Sequence, residues 1–349
     1  MTPLELNQMK ATVQNMFADE LMDFKKVFDR EFSSKTGAKD AMHTVIDKER
    51  SETPHCAECG SLHIVKNGKT KQGRQKYMCK DCGKSYSDTR GSITASSKKP
   101  YQVWEAFFAC MILGLSLRQT AAMVDICKNT ADNWRHKAME AMKKYDVDEP
   151  LEGEIQMDET YFLLNMKGLR SLPRPSKKRK TKSYRRGLNI ENIAVLTAID
   201  EYDRIHIKPV GQGNPSAGKL LSALEGRIKE GSTIVTDSKP AYKSVAKYYG
   251  AKLNQIPSES HQDGIFNLGT VNELHSNMKT WFTKFKGVSS RHLSRYLAWF
   301  RFQKLINYRI EKENQKRFMM NRSIQEKVNC LIKTLRSTPF PIDISLPYS

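Results

Sequence analysis

The stretch Leu268–Phe282, LGTVNELHSNMKTWF, decides how this chain is read. A carboxamide, Asn272, and a carboxylate, Glu273, stand side by side at the start of an amphipathic helix. Thr270 and Glu273 have the spacing of a capping box, with Thr270 as N-cap and Glu273 reaching back to the cap's own N–H. Counting about 100° per residue from Asn272, the side chains of Leu274, Met278, Trp281 and Phe285 fall between about 180° and 240°, an apolar stripe that must face a core. Asn272, His275, Ser276 and Lys279 fall within about 60° of zero and form a polar face, and Glu273, at about 100°, lies on neither. The phase therefore predicts a structural role for Glu273. It leaves Asn272, whose carbonyl oxygen is a legitimate neutral ligand for Mg²⁺, on one face with Lys279, a cation suited to phosphate. A solvated polar face with no function is the plain alternative.

Outward from this helix, two aspartates have matching settings. Asp158 ends a predicted strand, EIQMD, and Asp237 ends another, STIVTD, with a turn and a helix start, SKPAY, behind it. Oxygen ligands brought together from separate elements are what a metal-dependent nuclease needs, because two divalent ions about 4 Å apart must activate one oxygen and stabilise another. Singly, each aspartate has an ordinary reading: Asp237 as a cap of the helix PAYKSVAKYY, Asp158 as a surface residue beside Glu159. Around them NIAVLTAID, RIHIKPV and LLSALEGRI alternate strand-like and helix-like patterns, which predicts an α/β domain over 150–305. Within it, residues 167–187 form an insertion with ten Lys or Arg and no acid. Lys177, Lys178, Arg179 and Lys180 make it a candidate grip on DNA backbone.

The cysteines point to a second kind of metal. Cys56-x-x-Cys59 and Cys79-x-x-Cys82 are two knuckles 19 residues apart, four soft ligands that can close a tetrahedron around Zn²⁺. Residues 51–92 thus read as a zinc ribbon, too small to fold on a core alone and stabilised by its metal. His55 and His63 read as ordinary surface histidines, and Cys110, Cys127 and Cys330 as small buried side chains. After a linker, residues 100–146 read as a helix-turn-helix. Ser116 caps LRQTAAMV, DICKN turns, and TADNWRHKAMEAM places Ala131, Trp134, Ala138 and Met142 near one face. Lys128, Asn129, Thr130, Asn133 and Arg135 at its start suit base edges and phosphates. A plain helical hairpin is the alternative.

Composition agrees with a polyanionic partner. The 349 residues hold 58 Lys+Arg against 38 Asp+Glu, a formal charge of +20, and residues 1–50 contribute none of the excess. No apolar run reaches the roughly 18 residues that span a bilayer, and MTPLELNQMKATVQNMF lacks the order of a signal peptide. A cytoplasmic chain with thiol or metal-bound cysteines is expected. Residues 1–50 and 306–349 read as helical extensions. Gly213–Leu220 approximates a P-loop, but Leu220 stands where Ser or Thr would hold Mg²⁺, so no nucleotide cofactor is expected.

MDETYF, the basic loop opening on KG, VTDSKPAY, and VNELHSNMKTWFTKFKGVSSRHLSRYLAWF together resemble bacterial insertion-sequence transposases with a zinc-ribbon head, the IS fifteen-ninety-five group, over roughly residues 50–305. The resemblance implies an RNase H-like, retroviral-integrase-like catalytic domain with a D-D-E or D-D-N triad and a lysine. On this chain these are Asp158, Asp237, Asn272 and Lys279, and the zinc ligands are Cys56, Cys59, Cys79 and Cys82. It implies cleavage with Mg²⁺ or Mn²⁺ at transposon ends and attack of the freed 3′-OH on target DNA. The partners would be double-stranded terminal repeats and target, with a homo-oligomer formed on DNA. A non-catalytic DNA-binding regulator, or an inactive relative of a transposase, is the competing expectation, and Asn272 is the feature that leans toward it.

Overall fold

The computed structural model describes residues 56–70, 75–87, 93–143, 149–171, 191–257 and 262–316, apart from Ala57, Ser96, Pro100 and Arg170, together with Glu20. Lys177, Lys178, Arg179, Lys180, His55, Cys330 and the expected terminal extensions, save Glu20 and the helix continuing to Lys316, lie outside them. The chain divides into two compact units, residues 1–135 with 323–349, and residues 136–322.

In the first unit, β1 (Ile64–Lys69), β2 (Gln75–Cys79) and β3 (Ser85–Ser87) form an antiparallel sheet in that order. Its core is only Cys56, Tyr77, Cys79 and Tyr86 with Ile64 against them. Helices α1 (Tyr101–Ile112) and α2 (Leu117–Val124) follow, and then α3 (Lys128–Met142), in which the boundary between the units falls after Arg135. Trp104 of α1 stacks on Trp134 of α3 with ring centroids 3.5 Å apart. Ser116 caps α2 as expected. Its hydroxyl accepts the Gln119 N–H while the Gln119 side chain accepts the Ser116 N–H, a complete capping box. Ala131, Trp134, Ala138 and Met142 are buried.

The second unit is built on a five-stranded sheet, from β4 (Glu154–Leu163), β5 (Asn192–Asp200), β6 (Ile205–Gln212), β7 (Thr233–Asp237) and β8 (Lys252–Ile256), in the order β6-β5-β4-β7-β8. The first three are antiparallel neighbours, and β7 and β8 run parallel to β4. Helix α4 (Ala217–Leu224) leads from β6 to β7, and α5 (Ala241–Tyr249) joins β7 to β8, since parallel neighbours need a crossover. A short hairpin, β9 (Gln262–Asp263) with β10 (Phe266–Asn267), precedes α6 (Gly269–Thr283), a 3₁₀ turn at Ser290–His292 and α7 (Leu293–Lys316). This order, three antiparallel strands with two more parallel to the first, agrees with the α/β domain expected from the sequence. Among the described residues no helix is long and apolar enough to cross a membrane.

Strand alternation sorts β4 cleanly. Ile155 and Met157 join Leu196, Leu220, Leu224, Ile234, Tyr242 and Val245 in a core beneath α4 and α5. Gln156, Asp158 and Thr160 project from the other face. The sequence places Asp158 at a strand end, but it stands in mid-strand. Tyr161–Leu163 continue the ladder against β5 as far as Leu163↔Asn192, whereas the β4–β7 ladder ends at Gln156↔Val235. Among the described residues, the edge of β4 toward β7 is therefore free from Met157 onward.

Candidate functional site

The β4–β7 register explains how two distant aspartates meet. Glu154 pairs Thr233 and Gln156 pairs Val235; Asp158 and Asp237 are the next residues in phase just beyond the end of that ladder, and the Asp237 charge is felt at Asp158. Both lie on the face that Gln156 occupies. The Asp158 carboxyl is pushed up to about 6, chiefly by burial. The Glu159 N–H, 2.7 Å away, opposes the rise, and the charges of Asp237 and Glu159 add to it. Asp237 Oδ1 accepts the Lys239 N–H at 3.2 Å, so it fixes the turn behind β7 rather than capping α5, whose N-cap is Pro240.

Helix α6 forms the other wall. Asp158, Glu159, Thr160 and Tyr161 of β4 and Asn272, His275, Ser276 and Lys279 of α6 line a cavity of about 470 Å³. Leu274, Met278 and Trp281 are buried, as the helix phase predicts, at about 1.5–3 kcal/mol each for full burial. Asn272, Glu273, Ser276 and Lys279 are exposed. The expected capping box is not there. The helix begins two residues early, with Leu268 as N-cap and no side-chain cap. The N–H groups of Thr270 and Val271 donate instead to Gln156 Oε1, at 3.1 and 3.2 Å. A carboxamide from β4 has taken the place of the local cap, and Glu273 accepts from Asn277 at 3.2 Å. Neither Glu273 nor Asp237 is among the cavity's lining residues.

The sequence sets His275 on the polar face with no role, yet it is buried. Its Nε2 closely contacts Thr197 Oγ1, and its Nδ1 lies 3.8 Å from Asp158 Oδ2. Burial, with the Lys279 charge second, lowers it to about 4 and keeps the ring neutral. The signal is in the phase, since His275 sits about 60° from Met278 and borders the apolar stripe. On the far face of β4, the Glu159 carboxylate pairs with Lys239 inside the protein. Burial opposes the Lys239 charge, but Glu159 holds it above its ordinary value. Asp158 and Asp237 are thus two adjacent carboxylates with more negative charge than the site compensates, a donor set that fits a divalent cation.

The four knuckle cysteines bring their sulfurs within 4.8 Å of one another. Cys56 and Cys82, and Cys59 and Cys79, are each 3.7 Å apart. A tetrahedral ion with bonds of about 2.3 Å needs edges of about 3.8 Å. Both knuckles end in a glycine at positive φ, Gly60 at 73° and Gly83 at 67°, and these donate to the carbonyls of Cys56 and Cys79. The cluster can hold zinc. His63 is exposed and paired with Asp81 at 3.1 Å. Cys110 is buried, but Cys127 is exposed beside Thr130, contrary to expectation.

At the start of α3, Lys128 and Asn129 are exposed and Thr130 and Asn133 half-buried. Arg135 must be withdrawn from this set. Its side chain is buried and donates to the Leu115 carbonyl at 2.8 Å and to Thr120 Oγ1 at 3.2 Å, so its charge serves the packing of α2 on α3. Gly213–Leu220 simply leads into α4.

With this geometry in place, likeness to known proteins is informative. Residues 150–304 match the ISXO2-like transposase domain family. A relative from Halobacterium salinarum, described as an uncharacterized protein in transposable element ISH50, is 26% identical over 269 residues, 74% of this chain and 88% of the relative. Among solved structures, the Mos1 transposase paired-end complex with left transposon end matches at a TM-score of 0.28 with 10% identity, covering 70% of this chain and 82% of that one. The simian T-cell lymphotropic virus intasome in complex with PP2A regulatory subunit B56 gamma matches at 0.29 with 12% identity, covering 56% and 68%. Residues 150–304, from the strand that carries Asp158 to the helix packed on α6, are thus similar to the ISXO2-like transposase domain family.

Proposed function

We propose that this chain is a DNA transposase that cuts insertion-sequence ends in the presence of Mg²⁺ or Mn²⁺ and joins the freed 3′-OH to target DNA. The observation that carries the reading is that Asp158, which feels the charge of Asp237, lines a cavity with Asn272 and Lys279. Divalent cations, when bound, supply activation of the attacking oxygen and stabilisation of the leaving one. The residues' own work is to position. Asp158 and Asp237 hold the charge, Asn272 offers a neutral oxygen from the facing helix, and Lys279 offsets phosphate charge at the cavity mouth. The packing of β4 and α6 fixes their spacing before substrate arrives. The RNase H-like description of residues 150–305 is supported by the sheet order. The zinc-ribbon reading of residues 51–92 is supported by the sulfur spacing.

Outside the catalytic domain, α2 and α3 serve as a DNA-binding helix-turn-helix, with Lys128, Asn129, Thr130 and Asn133 toward the duplex. The basic insertion holds backbone phosphates, and pairing of two ends requires a homo-oligomer on DNA. A regulator that binds DNA without cutting it is favoured by one observation, that the third oxygen in the cavity comes from Asn272 and not from an acid.

The test is cleavage of the element's own end DNA with Mg²⁺, comparing wild type, Asn272→Ala and Glu273→Ala. Wild type and Glu273→Ala cut, and Asn272→Ala loses at least about two orders of magnitude, the scale of removing one preorganised electrostatic group. A dead Glu273→Ala that remains folded makes the triad an ordinary D-D-E. A wild type that binds the ends and never cuts makes the protein a regulator.

A further inference from the structure

The facing helix brings a second donor to the cavity, and hydrogen bonding sets which of its atoms is free. Thr197 has one hydroxyl proton. Its Oγ1 lies 2.9 Å from the backbone carbonyl of Asp158, which can only accept, and a proton directed there leaves the oxygen's lone pairs for a second partner. The same Oγ1 contacts His275 Nε2, and with its proton on the carbonyl it accepts in that contact. Nε2 therefore carries the ring proton, and in a neutral imidazole the other nitrogen keeps a bare lone pair. That nitrogen, Nδ1, faces Asp158 Oδ2 at 3.8 Å, too far for a hydrogen bond. Two lone-pair donors thus look at each other across a gap beside the cavity, one on a side chain 9% exposed.

Such a gap suits a cation. Bonds of about 2.1 Å from each donor reach a common centre at roughly 130°, and closing the donor separation by about 0.8 Å brings them to the roughly 90° of neighbouring octahedral ligands. The arrangement also has the support that metal-binding histidines show, with the remote N–H donated to a neighbouring group that fixes ring orientation and tautomer. Asn272-x-x-His275 puts an oxygen and a nitrogen donor at i and i+3 on one helix face. Carboxylate metal centres in helix bundles use that spacing to aim two side chains at one ion.

We propose that His275 Nδ1 is a ligand of the divalent cation held by Asp158, and that the centre accordingly favours Mn²⁺ over Mg²⁺ more than an all-oxygen site would. An imidazole nitrogen raises affinity for first-row transition ions, whereas Mg²⁺ prefers carboxylate, carbonyl and water oxygens. The inference rests on the reading of Asp158 as a metal ligand.

The experiment uses the full-length, zinc-loaded protein with substoichiometric Mn²⁺ and pulsed electron paramagnetic resonance, which detects ¹⁴N bonded to the ion without any turnover. Wild type shows imidazole-nitrogen coupling. His275→Gln, whose amide N–H can still reach Thr197, loses it, and its Mn²⁺ affinity falls about tenfold further than its Mg²⁺ affinity. Mn²⁺ bound in an Asp158-dependent way with no nitrogen coupling in wild type overturns the His275 assignment and leaves the proposed function standing. Coupling that persists in His275→Gln overturns the assignment equally. No Mn²⁺ binding, or binding indifferent to Asp158→Asn, removes both readings. If His275→Gln does not fold, His275→Asn supplies the same comparison, and a wild-type spectrum without nitrogen coupling overturns the assignment by itself.

Discussion

Asp158 is held at a disadvantage. Its carboxyl titrates near 6 in the folded protein against 3.8 in its ordinary state, because burial and two neighbouring acids penalise its charge. A folded-state value above the unfolded one means that the native protein binds the extra proton between about pH 4 and 6. Stability of the metal-free protein is then lost as pH rises through that window, by roughly 3 kcal/mol at pH 7. Asp158→Asn should therefore stabilise the metal-free protein by about 1–3 kcal/mol at pH 7, with the gain vanishing near pH 4, while cutting is abolished. Urea melts at the two pH values measure it. A variant less stable than wild type at pH 7 would contradict the electrostatic account. Arg135 teaches the reverse lesson about single residues. It sits about 40° from Ala131 on the helical wheel, so its burial is legible in the phase. Its charge near a helix start suggests a DNA contact, and its position on the wheel outweighs that chemistry.

At the level of elements, periodic patterns are readable and partnerships are not. The alternation in EIQMDETYF and the apolar stripe of α6 identify both walls of the cavity from sequence alone, and the knuckles CAECG and CKDCG identify the cysteine cluster. What the sequence hides is decided by tertiary contact. The Thr270–Glu273 capping box loses to Gln156, which lies 114 residues away from Thr270. The strand β8 is a sheet edge of mostly half-buried, polar alternation that carries little apolar signal. The swap of caps makes a specific claim. Gln156→Ala strands two backbone N–H groups at the buried start of α6 and should cost about 1–3 kcal/mol. It should also lower cleavage, because the first turn carries Asn272. Thr270→Ala should change stability by no more than about 0.5 kcal/mol. Thermal melts of the two variants side by side check this, and a larger loss in Thr270→Ala would restore the local cap.

At the scale of the whole molecule the charge matters more than the fold. The excess of +20 lies entirely after residue 50, and ten of its cations sit in residues 167–187. Reversing Lys177, Lys178, Arg179 and Lys180 together should flatten the dependence of log affinity on log salt by about 0.9 for each phosphate that is no longer neutralised. A titration of end-DNA binding across salt concentrations reads the slope, and an unchanged slope takes the loop out of the interface. The position of that loop has a consequence for how such proteins can diverge. The β4–β5 ladder is paired without a break down to Leu163↔Asn192, so the chain leaves and re-enters the sheet at adjacent rungs. Lengthening the connection between those rungs costs only about 0.6 kcal/mol per doubling. A connection of foreign length or composition can be exchanged there as a cassette while Asp158, on the same strand, keeps its place.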